Sequence, residues 1–329
     1  MKVKITDLER LILSSLRKKY SEADSQLMAD VLLFGQLSGK TSHGIVRLFV
    51  GNSSILSQTP KGKPEIIVKS KISSIIIGNG NPGMLVGPLA MKEAIRIAKK
   101  EKIGFMGTKD THTSSGCLSY YLEKIASENL IGIIIAQSPP STPVSGGIEP
   151  LFGTNPMSFG IPSDPRPFIF DMATSAISFG ALLKAKTLGQ KIPTNVAIDK
   201  YGDPTTDPEE AMQGATLPFD NSYKGAGLAM IVEILSGLWP GADFSGLNEQ
   251  GGWGNLFVAF NPNLLMDVKE FKEKVHLLLE KARHSKTREG ATVRIPGEHT
   301  LDKRNESLKL GMIDIEDNLY HALQKASKG

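Results

Sequence analysis

Between residues 65 and 138 the chain changes its hydrophobic period four times. EIIVKSKISSIII (65–77) is β-branched and reads as one or two strands. PGMLVGPLAMKEAIRIAKKEK (82–102) reads as a loop feeding a helix, and IGFMGTK (103–109) as a strand. SGCLSYYLEKIASEN (115–129) has a helical pattern, and LIGIIIAQS (130–138) is apolar enough to be a buried strand. Strands that alternate with helices restrict the chain to layered α/β architectures. Outside this stretch, residues 5–40 predict two helices, the second opening at Ser21 with Glu22 and Asp24 in its first turn. Residues 138–220 turn rich in Gly, Pro, Thr and Asp and carry few helical patterns. YKGAGLAMIVEILSGLW (223–239) is a strongly apolar helix, NLFVAFNP (255–262) a strand, and the last 60 residues alternate helices with a Pro-Gly loop. Helices from the two chain ends are expected to pack together. No internal repeat or low-complexity tract is present.

Composition narrows the function classes. The 329 residues are 40% hydrophobic and 22% charged, as in ordinary globular proteins, and the length allows about two domains. The formal charge is +4 with Lys and Arg scattered, which argues against a nucleic-acid stripe. The single cysteine, Cys117, excludes an intramolecular disulfide framework and fits a reducing compartment. The first twenty residues lack a signal-peptide apolar core. Leu8, Leu11, Leu13 and Leu16 sit among charges, as in an amphipathic helix. No apolar run approaches the roughly 20 residues that span a bilayer. The expectation is a soluble cytoplasmic protein.

GNGNPG (78–83) satisfies G-x-G-x-x-G after an apolar run. A Rossmann fingerprint needs a helix to begin inside the motif, with its N-terminus facing the pyrophosphate. Pro82 and the Gly87-Pro88 pair interrupt that start, and no clear acidic residue follows at the ribose-binding spacing. The favoured reading is a Gly-rich turn between strand and helix.

TSHGIVRLF (41–49) places His43 and Arg47 four residues apart, with Ser42 beside them. This is either a solvated helix edge or a site that grips an anion. GTNPMSFGIP (153–162) and FDMATS (170–175) are dense in small residues, which let main-chain N–H groups approach a phosphate or ribose. Lys224 sits where a loop meets the apolar helix, so its ammonium can reach an anion at the helix start.

Taken in order, SHGIVRL, GGIEPLFGTNP, FDMATS, GDPTTDP, YKGAGLAMIVEILSG and RIPGE resemble the malate/L-lactate/ureidoglycolate dehydrogenase family, from about residue 5 to 325. The resemblance implies a nicotinamide-dependent oxidoreductase, using NAD or NADP, that acts on small 2-hydroxy or 2-oxo acids. Some relatives reduce cyclic imines. It implies an α/β fold with a non-Rossmann, largely antiparallel mixed sheet, a helical domain formed by both chain ends, and a homodimer. Residues 1–65 would form a helical substrate-clamp region packed on 265–329, and 66–264 the dinucleotide-binding domain.

The resemblance also implies roles for single residues. Arg47 would hold the substrate carboxylate, a task suited to a planar guanidinium fork, with Ser42 and His43 lining the same pocket. Hydride addition to a ketone leaves alkoxide charge, so a proton donor must stand at the carbonyl oxygen. The family carries a histidine for this before its paired aromatic residues. In GTKDTHTSSGCLSYY the only histidine is His112, while the usual spacing lands on Ser114. A two-residue insertion that still delivers His112 to the pocket is the expectation. A second departure is Gly51, where many relatives have a tyrosine after the arginine, and it suggests a different or bulkier substrate tail. Ser138, Asn155, Asp171, Met172, Ala173 and Lys224 are the cofactor-binding candidates. His276, His284, His299 and His321 match no motif and are expected to be structural or exposed. No metal site is expected, and DPTTDPEE reads as a capped turn. A dinucleotide-binding relative without catalysis is the second class of reading, and a cyclic imine reductase the runner-up within the enzyme class.

Overall fold

The structure is a computed structural model, and it describes residues 1–49, 54–248 and 252–328. A short strand β1 (Lys2–Lys4) leads into helices α1 (Ile5–Leu16) and α2 (Glu22–Leu37). Ser21 caps α2, its side chain accepting the Asp24 amide, as the sequence predicts. Next come β2 (Glu65–Val68), β3 (Ser73–Ile77), α3 (Gly83–Glu101), β4 (Ile103–Thr111), α4 (Leu118–Ser127) and β5 (Ile131–Ala136). The Gly- and Pro-rich middle holds β6 (Met157–Ile161), β7 (Phe168–Met172), α5 (Phe179–Thr187), β8 (Ala197–Ile198), α6 (Pro208–Gln213) and β9 (Ala215–Thr216). Helix α7 (Tyr223–Val232) continues as a π-helix, Glu233–Leu238, before β10 (Trp253–Phe260). Helices α8 (Val268–Arg283) and α9 (Glu298–Leu310), strand β11 (Met312–Asp314) and helix α10 (Asp317–Lys328) follow.

Seven strands form one sheet in the order β2-β3-β4-β10-β5-β6-β7. Only β3 and β4 run parallel, and every other pair is antiparallel. The central strand β10 is buried on both faces, which explains its unbroken apolar run. Phe257 and Ala259 face one layer with Ile76, Met106 and Ile134 from neighbouring strands, together with the buried residues of α1 to α4. Leu256 and Val258 face the other layer with Ile135 and Val232 of α7. The chain ends meet: β1 pairs with β11, α1 packs on α10, and Leu8, Leu16 and Leu323 belong to the same core as the sheet.

Helix α3 corrects one expectation. It starts at Gly83, inside GNGNPG, and runs through Pro88 without a break. Pro88 lies in the second turn, so it costs a single main-chain bond near the start of a helix whose inner face is buried. The turn before it is still no phosphate cradle. The Gly80 amide donates to Asp110, Asn81 to Gly78 and Gly83 to His112, all carbonyl acceptors of the protein itself.

Strand direction settles where chemistry can sit. The C-terminal ends of β3, β4, β5 and β7 and the starts of β6 and β10 share one edge of the sheet. His112 follows β4, Ser138 follows β5, Asn155 precedes β6, and Asp171 and Met172 end β7.

Candidate active site

The SHGIVR segment is two 3₁₀ turns, Thr41–His43 and Ile45–Leu48, hinged at Gly44. Close packing on the end of α2 sets its path. A Cβ on Gly35 would lie 2.6 Å from the His43 carbonyl oxygen, and one on Gly44 would lie 2.6 Å from Gln36 Oε1. Arg47 Nε donates to the Ser42 carbonyl at 2.7 Å, which fixes the guanidinium while its Nη groups make no ion pair among the described residues. Burial lowers the Arg47 pKa, and an arginine stays charged under such shifts. A half-buried cation without a carboxylate is an arrangement that an anionic ligand would complete. Ser42 Oγ lies 3.0 Å from His43 Nδ1. Burial, then the charges of Arg47 and Lys40, pull the His43 pKa down to about 3, so its imidazole is neutral near pH 7. Helix α5 closes over this turn: a Cβ on Gly180 would come within 2.7 Å of Ser42 Cβ.

The loop after β4 is held in an uncommon backbone. Asp110, Thr113 and Gly116 all have positive φ, at 51°, 62° and 81°. A β-branched residue such as Thr113 avoids this region unless its surroundings impose it. His112 is fixed at both main-chain groups, its amide donating to Asn81 O at 2.9 Å and its carbonyl accepting from Gly83 N at 2.8 Å. Its imidazole is 28% exposed, with Nε2 at 3.8 Å from Asp110 Oδ1. Ser114, where the family spacing would put the histidine, accepts the Gly116 amide at 3.0 Å and so shapes the turn. Ser115 donates to Asn255 Oδ1 at 2.9 Å, tying the loop to β10.

On the far side of the same edge, Ser138, Asn155, Asp171, Met172 and Ala173 lie together. Ser138 Oγ is 3.1 Å from Thr154 Oγ1, and the Thr174 amide donates to Thr154 O. A Cβ on Gly153 would collide with the carbonyl and hydroxyl oxygens of Ser138. Asn155 is fully buried with φ 41°, its Nδ2 donating to Glu233 Oε1 at 2.7 Å and to Ala229 O at 3.2 Å. Glu233 also accepts from Gln137 Nε2 at 2.6 Å and from the Ser245 amide at 3.0 Å. Both Asp171 carboxylate oxygens are engaged, by Ser158 at 2.6 Å and Ser119 at 3.1 Å. Lys224 is exposed in the first turn of α7, whose cap is Ser222. That helix start reaches the group through Phe219, whose amide donates to Thr174 O.

Cys117 links the two sides. Burial, and next the Asp171 charge, push its thiol up to about 12, while Lys40 opposes the shift. Asp171 meets the start of α4 through Ser119. Glu233 and Gln137 escape sequence reading, although a lone acid inside the apolar VEILSG run was a visible signal for the first. His276, His284, His299 and His321 are exposed. In DPTTDPEE, Asp207 caps α6 by accepting the Glu209 and Glu210 amides. Gly51 lies outside the described residues. Among the described residues no helix is long and apolar enough to cross a membrane.

A mostly antiparallel sheet with active-edge loops, flanked by helices from both chain ends, defines a class of NAD(P)-dependent oxidoreductases that act on the CH–OH group of 2-hydroxy acids. This chain belongs to the malate/L-lactate dehydrogenase family, whose profile matches residues 3–324. It is 35% identical to the L-sulfolactate dehydrogenase of Methanocaldococcus jannaschii, over 96% of this chain and 94% of that protein. It is 29% identical to the ureidoglycolate dehydrogenase (NAD(+)) of Escherichia coli O157:H7, over 98% and 95% of the two chains. Its fold superposes on the crystal structure of malate dehydrogenase from Entamoeba histolytica with a TM-score of 0.92, at 27% identity, covering 99% of this chain and 97% of that one.

At the strand ends Gly153 packs directly against Ser138 and Asn155, and Lys224 adds a cation to the N-terminus of α7, a combination of charge and helix start that suits an anionic group such as a phosphate.

Proposed function

We propose that the chain interconverts a small 2-oxo acid and its 2-hydroxy acid at the edge between Arg47 and Ser138. Arg47 carries the reading: it is a half-buried guanidinium whose Nη groups have no carboxylate among the described residues. It would grip the substrate carboxylate bidentately, with Ser42 and neutral His43 as uncharged walls. His112 would exchange the proton with the reacting oxygen, donating it in reduction and removing it in oxidation. The Asp110 carboxylate, with Oδ1 3.8 Å from Nε2, stands beside the ring. A bound nicotinamide, from NAD or NADP, supplies or accepts the hydride. Ser138, Asn155, the main chain of Asp171 to Ala173, and Lys224 would hold it, and the sheet of residues 66–264 would carry these contacts. Residues 1–65 and 265–329 would carry the clamp. A buried, unpaired Cys117 is consistent with a reducing cytoplasm.

We also propose a homodimer. Tyr223, Met230, Ile231, Ile234, Leu238 and Trp239 are 42–73% exposed on one face of α7 and its π-helical extension. An apolar stripe of this extent is unusual on a monomer.

The test is the loss of NADH or NADPH absorbance with pyruvate, oxaloacetate, sulfopyruvate and piperideine-carboxylate. Turnover of a 2-oxo acid is expected. Turnover of the cyclic imine alone would replace the reading with imine reduction, and dinucleotide binding without turnover would favour a relative that has lost catalysis. His112→Ala is expected to lower kcat by roughly 100-fold or more with a smaller effect on KM. Unchanged kcat would remove His112 from the proton-transfer role.

A further inference from the structure

A buried carboxylate ties together the main chain around Ser138. Glu233 is 3% exposed and opens the π-helix that continues α7. Its Oε1 accepts from Asn155 Nδ2 at 2.7 Å, and its Oε2 accepts from Gln137 Nε2 at 2.6 Å and from the Ser245 amide at 3.0 Å. Each donor leads on to Ser138. Gln137 is its chain neighbour just past β5, and Gln137 Oε1 in turn accepts the Gly254 amide of β10 at 2.9 Å. Ser245 Oγ donates to the Ser138 carbonyl at 2.9 Å, and the Asn155 amide donates to Ser138 Oγ at 3.4 Å. The Asn155 side chain is held through Nδ2, because its buried Oδ1 has no partner among the described residues. The π segment packs closely on this group: a Cβ on Gly237 would collide with the Gln137 carboxamide. Among the described residues no Lys, Arg or His nitrogen lies within 4.0 Å of the Glu233 carboxylate. A buried acid without a cation is costly, and here its hydrogen bonds converge on the turn beside one serine. Single π turns of this kind concentrate at functional sites.

We propose that Glu233 is a positioning residue for the dinucleotide: through Asn155, Gln137 and Ser245 it sets where Ser138 and Asn155 stand. The proposal rests on the reading of Ser138 and Asn155 as cofactor contacts. The task needs a carboxylate, because two acceptor oxygens at one point serve three convergent donors. A glutamine has the same shape but presents one oxygen and one NH2 group. It therefore meets either Asn155 Nδ2 or the Gln137 and Ser245 donors with a donor of its own. One side of the turn loses its anchor, and a buried donor without an acceptor is expensive enough to make it move.

The experiment compares the wild type with Glu233→Gln, Glu233→Asp and Ser245→Ala on the full-length chain. The first readout is the Kd of NADH and of NADPH, from the fluorescence of the reduced nicotinamide. Glu233→Gln is expected to weaken the dinucleotide that the wild type binds by about tenfold. Glu233→Asp keeps both acceptor oxygens and is expected to bind more tightly than Glu233→Gln. Ser245→Ala removes one hydrogen bond on the route to Ser138 and is expected to weaken binding about threefold. If Glu233→Gln does not fold, Ser245→Ala decides, and an unchanged Kd there overturns the proposal. The second readout is kinetic. Glu233→Gln is expected to raise KM for the dinucleotide by the same factor as Kd, while KM for the 2-oxo acid changes by less than about twofold. A lowered Tm with unchanged Kd, or equal rises in both KM values, would make Glu233 a structural residue only and overturn the proposal. A wild type that binds neither dinucleotide would instead remove the cofactor reading of this edge, and the proposal with it.

Discussion

His43 pays for its place beside Arg47 and Lys40 by giving up its proton. Its folded pKa of about 3 lies below the ordinary histidine value near 6.5, so between those values the unfolded chain binds a proton that the native protein does not. Stability contributed by the neutral ring is therefore complete above about pH 6.5 and declines as pH falls toward 3. Urea midpoints measured at pH 7 and pH 5 are expected to fall for the wild type, and to fall less for His43→Gln, by up to about 2 kcal/mol. An identical pH dependence in both would show that His43 protonates freely in the native state. At this scale Arg47 was readable, because a guanidinium four residues from a histidine in S-H-G-x-x-R is a specific pattern.

The elements of the middle region owe their close contacts to missing side chains. The turn from β5 to β6 brings Gly153 against Ser138, and a Cβ there would also approach Asn155 Oδ1 to 2.7 Å. Gly153→Ala is thus expected to displace Ser138 and Asn155 together, at a cost of about 1–3 kcal/mol. Thermal melts with and without NADH test this: a lower Tm and a smaller stabilisation by the dinucleotide are expected. A variant that melts and binds like the wild type would mean that the turn yields at no cost. Periodicity located the helices at both chain ends and the buried strand β5, but not β6, β7 and α5 within the Gly- and Pro-rich middle. It could not show that the apolar run after Lys224 changes from α- to π-helix at Glu233. The carboxylate of Glu233 accepts bonds from Gln137, Asn155 and Ser245, and the first two lie far off in sequence.

For the whole molecule, the sheet needs both chain ends, because α1 and α10 contribute Leu8, Leu16 and Leu323 to the core that covers one face. The other face is covered by α7, whose outer side remains apolar with Trp239 60% and Ile234 50% exposed. Light scattering at micromolar concentration is expected to give a dimer, and Ile234→Asp combined with Trp239→Glu a folded monomer. A wild type that is monomeric there would overturn the dimer. In its sheet edge the molecule departs from a Rossmann protein for a physical reason: the Gly-rich turn spends its amides on Asp110, Gly78 and His112.

The residue pattern alone determined the α/β class, the capped start of α2 and the family, because these rest on local period, capping and ordered short motifs. Tertiary structure alone decided that six strand ends share one edge, that β10 enters between β4 and β5, and that Gln137 and Asn155 meet on Glu233. Those outcomes come from strand pairing and packing between residues distant in sequence, and no local spacing encodes them.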